Sequence, residues 1–549
     1  MTDVEQLIET ANLWIAQDFD PTTIAELNDL ISKAKTDRAA LAELNSRFSG
    51  ALKFGTAGLR AQVAAGESRM NRATVAKAAW GVTKWIKHSG GKKLVIGNDA
   101  RTGSKEFALD SCQIAAALGL DVVLLAAPVP TPVLAYGLLE LNADAAVMVT
   151  ASHNPAQDNG YKVYDQTGSQ IVSPTDHEIA ELIKSAPKAK DIDRTGRFKT
   201  IEMVKSYVDY VASNSIKFLD KDITIAYTAL HGVGSITFNE LMQKTGYTKI
   251  YEVYEQQIPD PNFSTVKFPN PEEPGAMDLL LDLAVKSKAE IAIANDPDAD
   301  RTAIALPRNG TWQVLSGDEL GTLLAWWVIE RRKLENKPVT GAMAASIVSG
   351  SMIKRIALAN DLDFFFTLTG FKYVSRIPNL IFGYEEAIGY CVLPEKVKDK
   401  DGISAALFAI ELVCYLKSQN KTAFDKLDEL YRELGLVLTK QITLRMKSST
   451  EVNQRLEKIS LHLPKKLGQM EISSLENFGD GIDGLPKSSG IRLRFPNGRV
   501  IIRPSGTEPK LKCYLEVHAE PGSDLEVQKQ ALNLQLSQLS DDLTALFNY

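Results

Sequence analysis

Ser152 sits in the stretch Thr150-Ala151-Ser152-His153-Asn154-Pro155, which runs on to Asn159-Gly160-Tyr161-Lys162. The apolar run Ala145–Val149 leads into it and reads as a buried strand, stopped by a Ser, a His and an Asn-Pro breaker. Open α/β sheets bind their ligands at the carboxyl ends of such strands. A hydroxyl placed there can carry a phosphoryl group; an ordinary turn serine accounts for the same residues.

A second stretch gives that hydroxyl a context. The strand-like run Ile291–Ala294 is followed by Asn295-Asp296-Pro297-Asp298-Ala299-Asp300-Arg301. Pro297 opposes helix, so the carboxylates at i, i+2 and i+4 are expected on one side of an extended loop. Three like charges repel unless a cation lies between them. Oxygen ligands without Cys or His suit Mg²⁺, with positions left for water or phosphate. A solvated acidic loop fits poorly directly after a buried strand, and the EF-hand pattern is absent.

Two further stretches bind rather than react. Glu385 and Glu386, within Phe382-Gly383-Tyr384-Glu385-Glu386-Ala387-Ile388-Gly389-Tyr390, suit hydrogen bonds from adjacent sugar hydroxyls or an acid/base pair; an exposed charge pair at a strand end would look the same. Arg503-Pro504-Ser505-Gly506-Thr507-Glu508-Pro509-Lys510 offers a guanidinium fork, two hydroxyls and backbone N–H groups around Gly506. That density of donors favours a phosphate site over a polar turn. Weaker signals are Lys372 in Thr369-Gly370-Phe371-Lys372, His231 before a Gly-rich loop, and Lys162. Lys162 would have a lowered pKa in a cation-rich, desolvated site, and would otherwise be a surface lysine.

These stretches need elements to hold them. Residues 1–50 read as helices broken at Asp20-Pro21. Beyond the Gly-rich turn Lys53–Arg60, a helix is expected from Ala73 to Lys87 and strands at Lys92–Ile96 and Val122–Leu125. A helix to about Ala117 lies between those strands, and a Pro-rich turn at Pro128, Pro130 and Pro132 follows them. Strand, polar Gly/Ser loop and helix recur at Gly97–Ser104, at Ile223–Ser235 and at Gly341–Ser351, which argues for three similar α/β units. The tail differs, with alternating strands at Leu438–Met446 and Arg492–Phe495. A hairpin turn is expected at Asn497-Gly498, with Val500–Arg503 after it and a closing helix from about Asp524 to Phe547.

Length and composition agree with a multidomain soluble protein. The chain has 549 residues, beyond the ~250–300 at which single cores stop growing. It is 44% apolar and 24% charged with a net charge of −6, which argues against a nucleic-acid surface. Residues Met1–Glu5 have neither a basic n-region nor an apolar h-region, so no signal peptide is expected. No apolar run reaches the ~20 residues of a membrane span. Cys112, Cys391, Cys414 and Cys513 are too scattered for a zinc site or a disulfide framework, so buried free thiols in a reducing cytoplasm are expected.

Together and in this order, the four stretches resemble the α-D-phosphohexomutase superfamily, the phosphoglucomutase/phosphomannomutase proteins, from about Lys53 to the end. Thr150–Pro155 matches the phosphoserine loop, Asp296–Arg301 the metal loop, Tyr384–Gly389 the sugar loop and Arg503–Thr507 the phosphate loop. The resemblance implies three similar mixed-sheet α/β domains plus a C-terminal α+β domain around a central cleft. The expected segments are a helical extension at 1–50, then 51–210, 211–325, 326–436 and 437–549. It further implies that Ser152 is phosphorylated and joins Asp296, Asp298 and Asp300 in holding Mg²⁺. Glu385 and Glu386 would bind sugar hydroxyls, and Arg503, Ser505, Gly506 and Thr507 the non-reacting phosphate. Arg60, His153 and Lys162 would flank the phosphoserine, with Lys162 a candidate proton carrier; Arg301 and Lys372 would line the cleft. The expected reaction interconverts glucose 1-phosphate and glucose 6-phosphate, with glucose 1,6-bisphosphate as intermediate and activator. The C-terminal domain would be a lid hinged near Leu436 to Gln441. Pro297 replaces a usual Gly, and Glu385-Glu386-Ala387-Ile388-Gly389 replaces the commoner Gly-Glu-Met-Ser-Gly. Both look like the large phosphoglucomutase branch, which also holds phosphopentomutases and sugar-bisphosphate synthases, so mannose and pentose phosphates are the alternative substrates. A sugar phosphatase and a non-catalytic phosphosugar-binding protein are the alternatives of a different class.

Overall fold

The computed structural model describes residues 3–446, 448–461, 463–504, 510–522 and 524–548. Two compact units emerge, Met1–Val314 with Gly389–Glu411, and Leu315–Ile388 with Leu412–Tyr549.

The first unit opens with helices Asp3–Ile15, Pro21–Ala34 and Arg38–Arg47. Asp20 caps the second helix and Pro21 begins it, so the expected break is a helix start. These helices bury Leu27, Ile31 and Leu44 together with Ala65, which ties them to the following segment. A mixed sheet follows in the order Leu59–Gln62, Asp158–Asp165, Ala145–Val149, Lys93–Asn98, Asp121–Leu125, Lys199–Ile201. Its last four strands run parallel, whereas Asp158–Asp165 is antiparallel to both of its neighbours. Val147 and Val149 are buried in one apolar cluster with Val75 and Val82 of helix Arg72–His88 and Phe107 of helix Ser104–Ala117.

One expectation changes here. The Pro-rich segment is not only a turn: helix Thr131–Glu140 starts inside it, with Pro132 in its first turn, where a missing N–H costs nothing. Residues Asn159–Lys162, to which sequence patterning assigns no element, belong to strand Asp158–Asp165. The second sheet has the order Thr311–Val314, Thr302–Arg308, Ile291–Asn295, Ile225–Thr228, Ile250–Glu252. Its three inner strands include the parallel pair Ile225–Thr228 and Ile291–Asn295.

In the second unit, Asp363–Thr367, Ala342–Ser346 and Leu380–Glu385 form a parallel sheet. Helix Gly317–Leu334 is started by a reciprocal Ser316–Glu319 capping box. The C-terminal sheet is antiparallel in the order Val437–Arg445, Lys510–His518, Gly498–Pro504, Ile491–Phe495, Ser474–Asn477. Helix Leu525–Asn548 closes the chain. Phe495 pairs with Gly498, so the two turn residues are Pro496 and Asn497, one step earlier than expected. Strand Lys510–His518, in the interior of this sheet, was not expected. The segment expected as a hinge consists of the buried Leu436 and the first half of strand Val437–Arg445.

Candidate active site

Strand Ala145–Val149 is wholly buried and delivers Ser152 at its carboxyl end. The Ser152 backbone N–H donates to Thr150 Oγ1 at 2.8 Å, and Ser152 adopts φ 53°, a left-handed conformation that a side chain enters at a cost of about 1–2 kcal/mol. Its Oγ lies 3.0 Å from Asp296 Oδ2 and 3.1 Å from His153 Nδ1. Arg60 reaches the same loop, donating to Asn154 Oδ1 at 3.0 Å.

The three aspartates form a tight turn rather than an extended stretch. The Ala299 N–H donates to Asp296 O at 2.8 Å and Ala299 takes φ 50°. This curl, not strand alternation, brings one oxygen from each of Asp296, Asp298 and Asp300 within 4.8 Å of the others. The turn is anchored from two sides. Val233 N–H donates to Pro297 O at 2.8 Å, and Thr131 donates through its N–H to Asp298 O at 2.9 Å and through Oγ1 to Asp298 Oδ2 at 2.7 Å. Gly232 lies so close that an added Cβ would stand 2.3 Å from Pro297 Cα.

All three carboxylates are buried. Asp298 Oδ1 and Asp300 Oδ1 accept no hydrogen bond among the described residues. Burial and the charges of Asp300 and Asp298 push Asp296 far above the usual carboxylate range. Buried, crowded anions with idle oxygens are what a hard divalent cation satisfies, so the donor set fits Mg²⁺.

Lys162 is 5% exposed and not a surface lysine. Its Nζ lies 2.8 Å from Asp298 Oδ2 and 3.3 Å from Asp300 Oδ2. Burial acts to lower its pKa, but the Asp298 and Asp300 charges outweigh burial and the net shift is upward. The lowered value expected for a cation-rich site is therefore corrected, because the nearest charges are anions. Those same contacts hold Asp298 far below its ordinary value against the opposing effect of burial. His153 is driven well below the usual imidazole range by burial and by the Arg301 and Arg60 charges. Arg301 Nε lies 3.8 Å from Asp300 Oδ1 and 4.0 Å from Asp296 Oδ2.

Residues that the sequence reading missed complete this cluster. Lys400 Nζ lies 3.0 Å from Asp300 Oδ2 and 3.4 Å from Asp399 Oδ1. Tyr164 OH and Gln170 Nε2 donate to Asp399 Oδ2 at 2.7 and 2.9 Å. The signal available was the alternating Lys398-Asp399-Lys400-Asp401-Gly402 run, which composition alone leaves as a solvated loop.

The second unit gathers the other candidates. Glu385 ends strand Leu380–Glu385, and its Oε1 accepts the Gly370 N–H at 2.7 Å. Lys372 lies two residues further, in the short helix Phe371–Val374, with Nζ 5.5 Å from the Tyr373 ring centroid. Glu386 Oε2 accepts Ser346 Oγ and Ser349 Oγ, each at 3.0 Å, and the Glu386 N–H donates to Ser349 Oγ at 3.0 Å. Burial, with the Glu385 and Asp318 charges, raises Glu386 to about 7. Arg503, at the end of strand Gly498–Pro504, donates to Thr369 Oγ1 beside that turn. Ser505, Gly506 and Thr507 lie outside the described residues.

Phosphoglucomutase/phosphomannomutase models match the chain in four consecutive pieces. The α/β/α domains I, II and III cover residues 51–190, 205–310 and 316–434, and the C-terminal domain covers 451–533. The chain belongs to the phosphoglucomutase/phosphomannomutase family. It is 40% identical over 467 residues to a Haemophilus influenzae protein named "Probable phosphomannomutase", covering 83% of this chain and 95% of that one. With human phosphopentomutase the identity is 35% over 591 residues, covering 97% and 95%. The open-form crystal structure of the Paramecium phosphoglucomutase pp63/parafusin has a TM-score of 0.68 at 18% identity, covering 89% of this chain and 95% of that one. A phosphoglucomutase/phosphomannomutase chain of this kind is a phosphomutase, an isomerase built from three α/β/α domains and a C-terminal domain. Among its described residues, no helix is long and apolar enough to cross a membrane.

Proposed function

We propose that the protein interconverts glucose 1-phosphate and glucose 6-phosphate through phosphorylated Ser152 and a glucose 1,6-bisphosphate intermediate. The observation that carries this reading is the buried contact of Ser152 Oγ with Asp296, inside a cluster of three carboxylates and a lysine. In the first half-reaction the bond between phosphorus and Ser152 Oγ breaks. A bond forms to the free hydroxyl oxygen of the sugar monophosphate, whose released proton balances the one that Ser152 Oγ takes up, so no net proton is gained or lost. The bisphosphate turns round, and its other phosphate returns to Ser152 with the proton flow reversed. Such transfers depend chiefly on alignment and charge neutralisation. Mg²⁺, held by Asp296, Asp298 and Asp300, would neutralise charge on the transferring group.

The chain's own residues supply the rest. Lys162, whose pKa is raised, is suited to lend a proton to Ser152 Oγ as the phosphoryl group departs. His153, whose pKa is lowered, and Arg60 flank the serine, and Arg301 borders the carboxylates. Glu385 and Glu386 would read sugar hydroxyls, with Lys372 beside them, while Arg503, Ser505, Gly506 and Thr507 would grip the phosphate that does not react. Each catalytic segment, 51–210, 211–325, 326–436 and 437–549, would contribute one loop. The small-molecule substrate needs no nucleic acid or membrane, and four buried free thiols support a reducing, cytoplasmic setting.

The test is turnover of glucose 1-phosphate, mannose 1-phosphate and ribose 1-phosphate, each with its bisphosphate. Glucose 1-phosphate is expected to give the highest kcat/KM with no free phosphate released. A higher value for mannose or ribose phosphate would reassign the sugar, stoichiometric phosphate release would make the protein a phosphatase, and no turnover would leave a binding protein. Ser152→Ala is expected to abolish turnover, and full activity in that variant would overturn the phosphoserine route.

A further inference from the structure

We infer that Arg101, to which the proposed chemistry assigns no part, is the positioning residue that sets the phosphoserine loop; the inference rests on the mutase reading above. Its Nη2 donates to Ser152 O at 2.5 Å and Asn154 O at 2.7 Å, and its Nη1 to Pro155 O at 2.8 Å and Asp158 O at 3.1 Å. One guanidinium thus gathers four carbonyls around the turn that carries the reacting hydroxyl. The fifth donor, Nε, faces Asp99 Oδ2 at 3.4 Å. A planar fork reaches all four carbonyls at once, whereas a lysine would offer three donors from one point.

Arg101 is itself held from several directions. Asp99 Oδ1 accepts the Arg101 N–H at 3.0 Å and Ser104 Oγ at 2.6 Å. The Phe263 ring lies under the guanidinium, 4.8 Å from Cζ, an attraction strengthened by exclusion of water. Asn159 ties the far end of the serine loop to the same turn, donating to Thr102 O and Ser104 Oγ, each at 2.9 Å. Arg101 is 4% exposed and Asp99 1%. A cation buried this deeply is kept only where its neighbours compensate it, here the four carbonyls and Asp99.

Ser152 needs this clamp because its left-handed backbone is not the resting choice of a serine. Phosphoryl transfer asks for an in-line approach, and a displacement of about 1 Å costs on the order of 10²-fold in rate. Arg101 touches only backbone carbonyls of the loop, so its loss is expected to lower turnover and leave sugar binding in place.

The experiment compares wild type, Arg101→Ala, Arg101→Lys and Asp99→Asn. Each is measured for melting temperature, Ser152 phosphorylation by glucose 1,6-bisphosphate, and kcat and KM per phosphorylated site. Expected for both Arg101 variants is a fall of about 10²-fold in kcat and in the phosphorylation rate at near-constant KM, with partial recovery of Arg101→Ala by added guanidinium ion. A purely structural arginine would lower the melting temperature while leaving kcat per phosphorylated site unchanged, and that result would overturn the inference. Should the Arg101 variants fail to fold, Asp99→Asn decides. That variant keeps the four carbonyl bonds but loosens the fork, and wild-type kcat in it would overturn the inference. If wild type takes up a phosphoryl group yet turns over no sugar monophosphate, the mutase reading fails. Arg101 is then judged on the phosphorylation rate alone.

Discussion

Glu386 combines two demands on a single carboxyl group. Two serine hydroxyls donate to its Oε2, while burial and neighbouring acids hold its pKa near 7 instead of 4.5. Being raised, it keeps a proton in the folded state that the unfolded chain has released. Its stabilising contribution is therefore complete below about pH 4.5 and disappears as pH rises through about 7, a swing of about 3 kcal/mol. Glu386→Gln has no proton to lose. Urea unfolding at pH 5 and pH 8 should show the variant gaining on wild type at the higher pH, and an unchanged difference between the two proteins would refute the assignment. In the proposed role of Glu386, sugar hydroxyls donate best to its ionised form, so the wild-type KM should fall across the same interval.

At the scale of elements, the aspartate loop depends on a glycine in a different loop. Gly232 precedes helix Gly234–Thr245 and lies against the Pro297 backbone, where a methyl group would stand 2.4 Å from Pro297 O. Gly232→Ala must displace the Pro297 backbone and so disturb the aspartate turn. A cost of about 1–3 kcal/mol in stability is expected from overpacking, together with a fall of about 10²-fold in kcat from misalignment. Thermal melting and Mg²⁺-dependent turnover measure the two effects separately. Sequence patterning made the strand ends legible here, since Ala145–Val149 and Ile291–Ala294 are continuous apolar runs. The curl of the aspartate loop was not legible, because its own Ala299 N–H to Asp296 O bond is anchored by Thr131 and Val233, neither of which lies in its sequence neighbourhood.

At the largest scale, each unit carries its own share of the candidate groups. The first holds Ser152, the aspartates and Lys162; the second holds the glutamates, Lys372 and Arg503. Within the second unit the C-terminal sheet grips the loop that supports Glu386. Arg499 donates to Ile347 O at 3.1 Å, Ser349 O at 2.7 Å and Glu516 Oε2 at 3.0 Å. Glu516 Oε2 also accepts the Ser351 N–H at 2.8 Å. A lid formed by this sheet would have to break those bonds or carry the loop with it. Arg499→Met leaves Glu516 uncompensated, a loss of about 3–5 kcal/mol for a buried pair. Faster amide exchange over residues 347–351 and a raised KM are expected; wild-type exchange there would show that the latch carries no load.

By itself the sequence determined the alternation of strands and helices, the distinct tail and the four polar loops in their order. Those features are local: period, breakers and charge spacing act within a few residues. The hydroxyl, the carboxylate triplet, the glutamate pair and the arginine were all legible as residue types. Tertiary structure alone decided their chemical states. Ser152 and Asp296 are 144 residues apart in the chain, and Lys162 meets Asp298 across 136. Whether that lysine gains or loses proton affinity depends on which charges surround it after folding, because buried charges interact strongly at short range. For the same reason Lys400, Asp399 and Arg101 were invisible to patterning, and only folding sets them beside the loops they support.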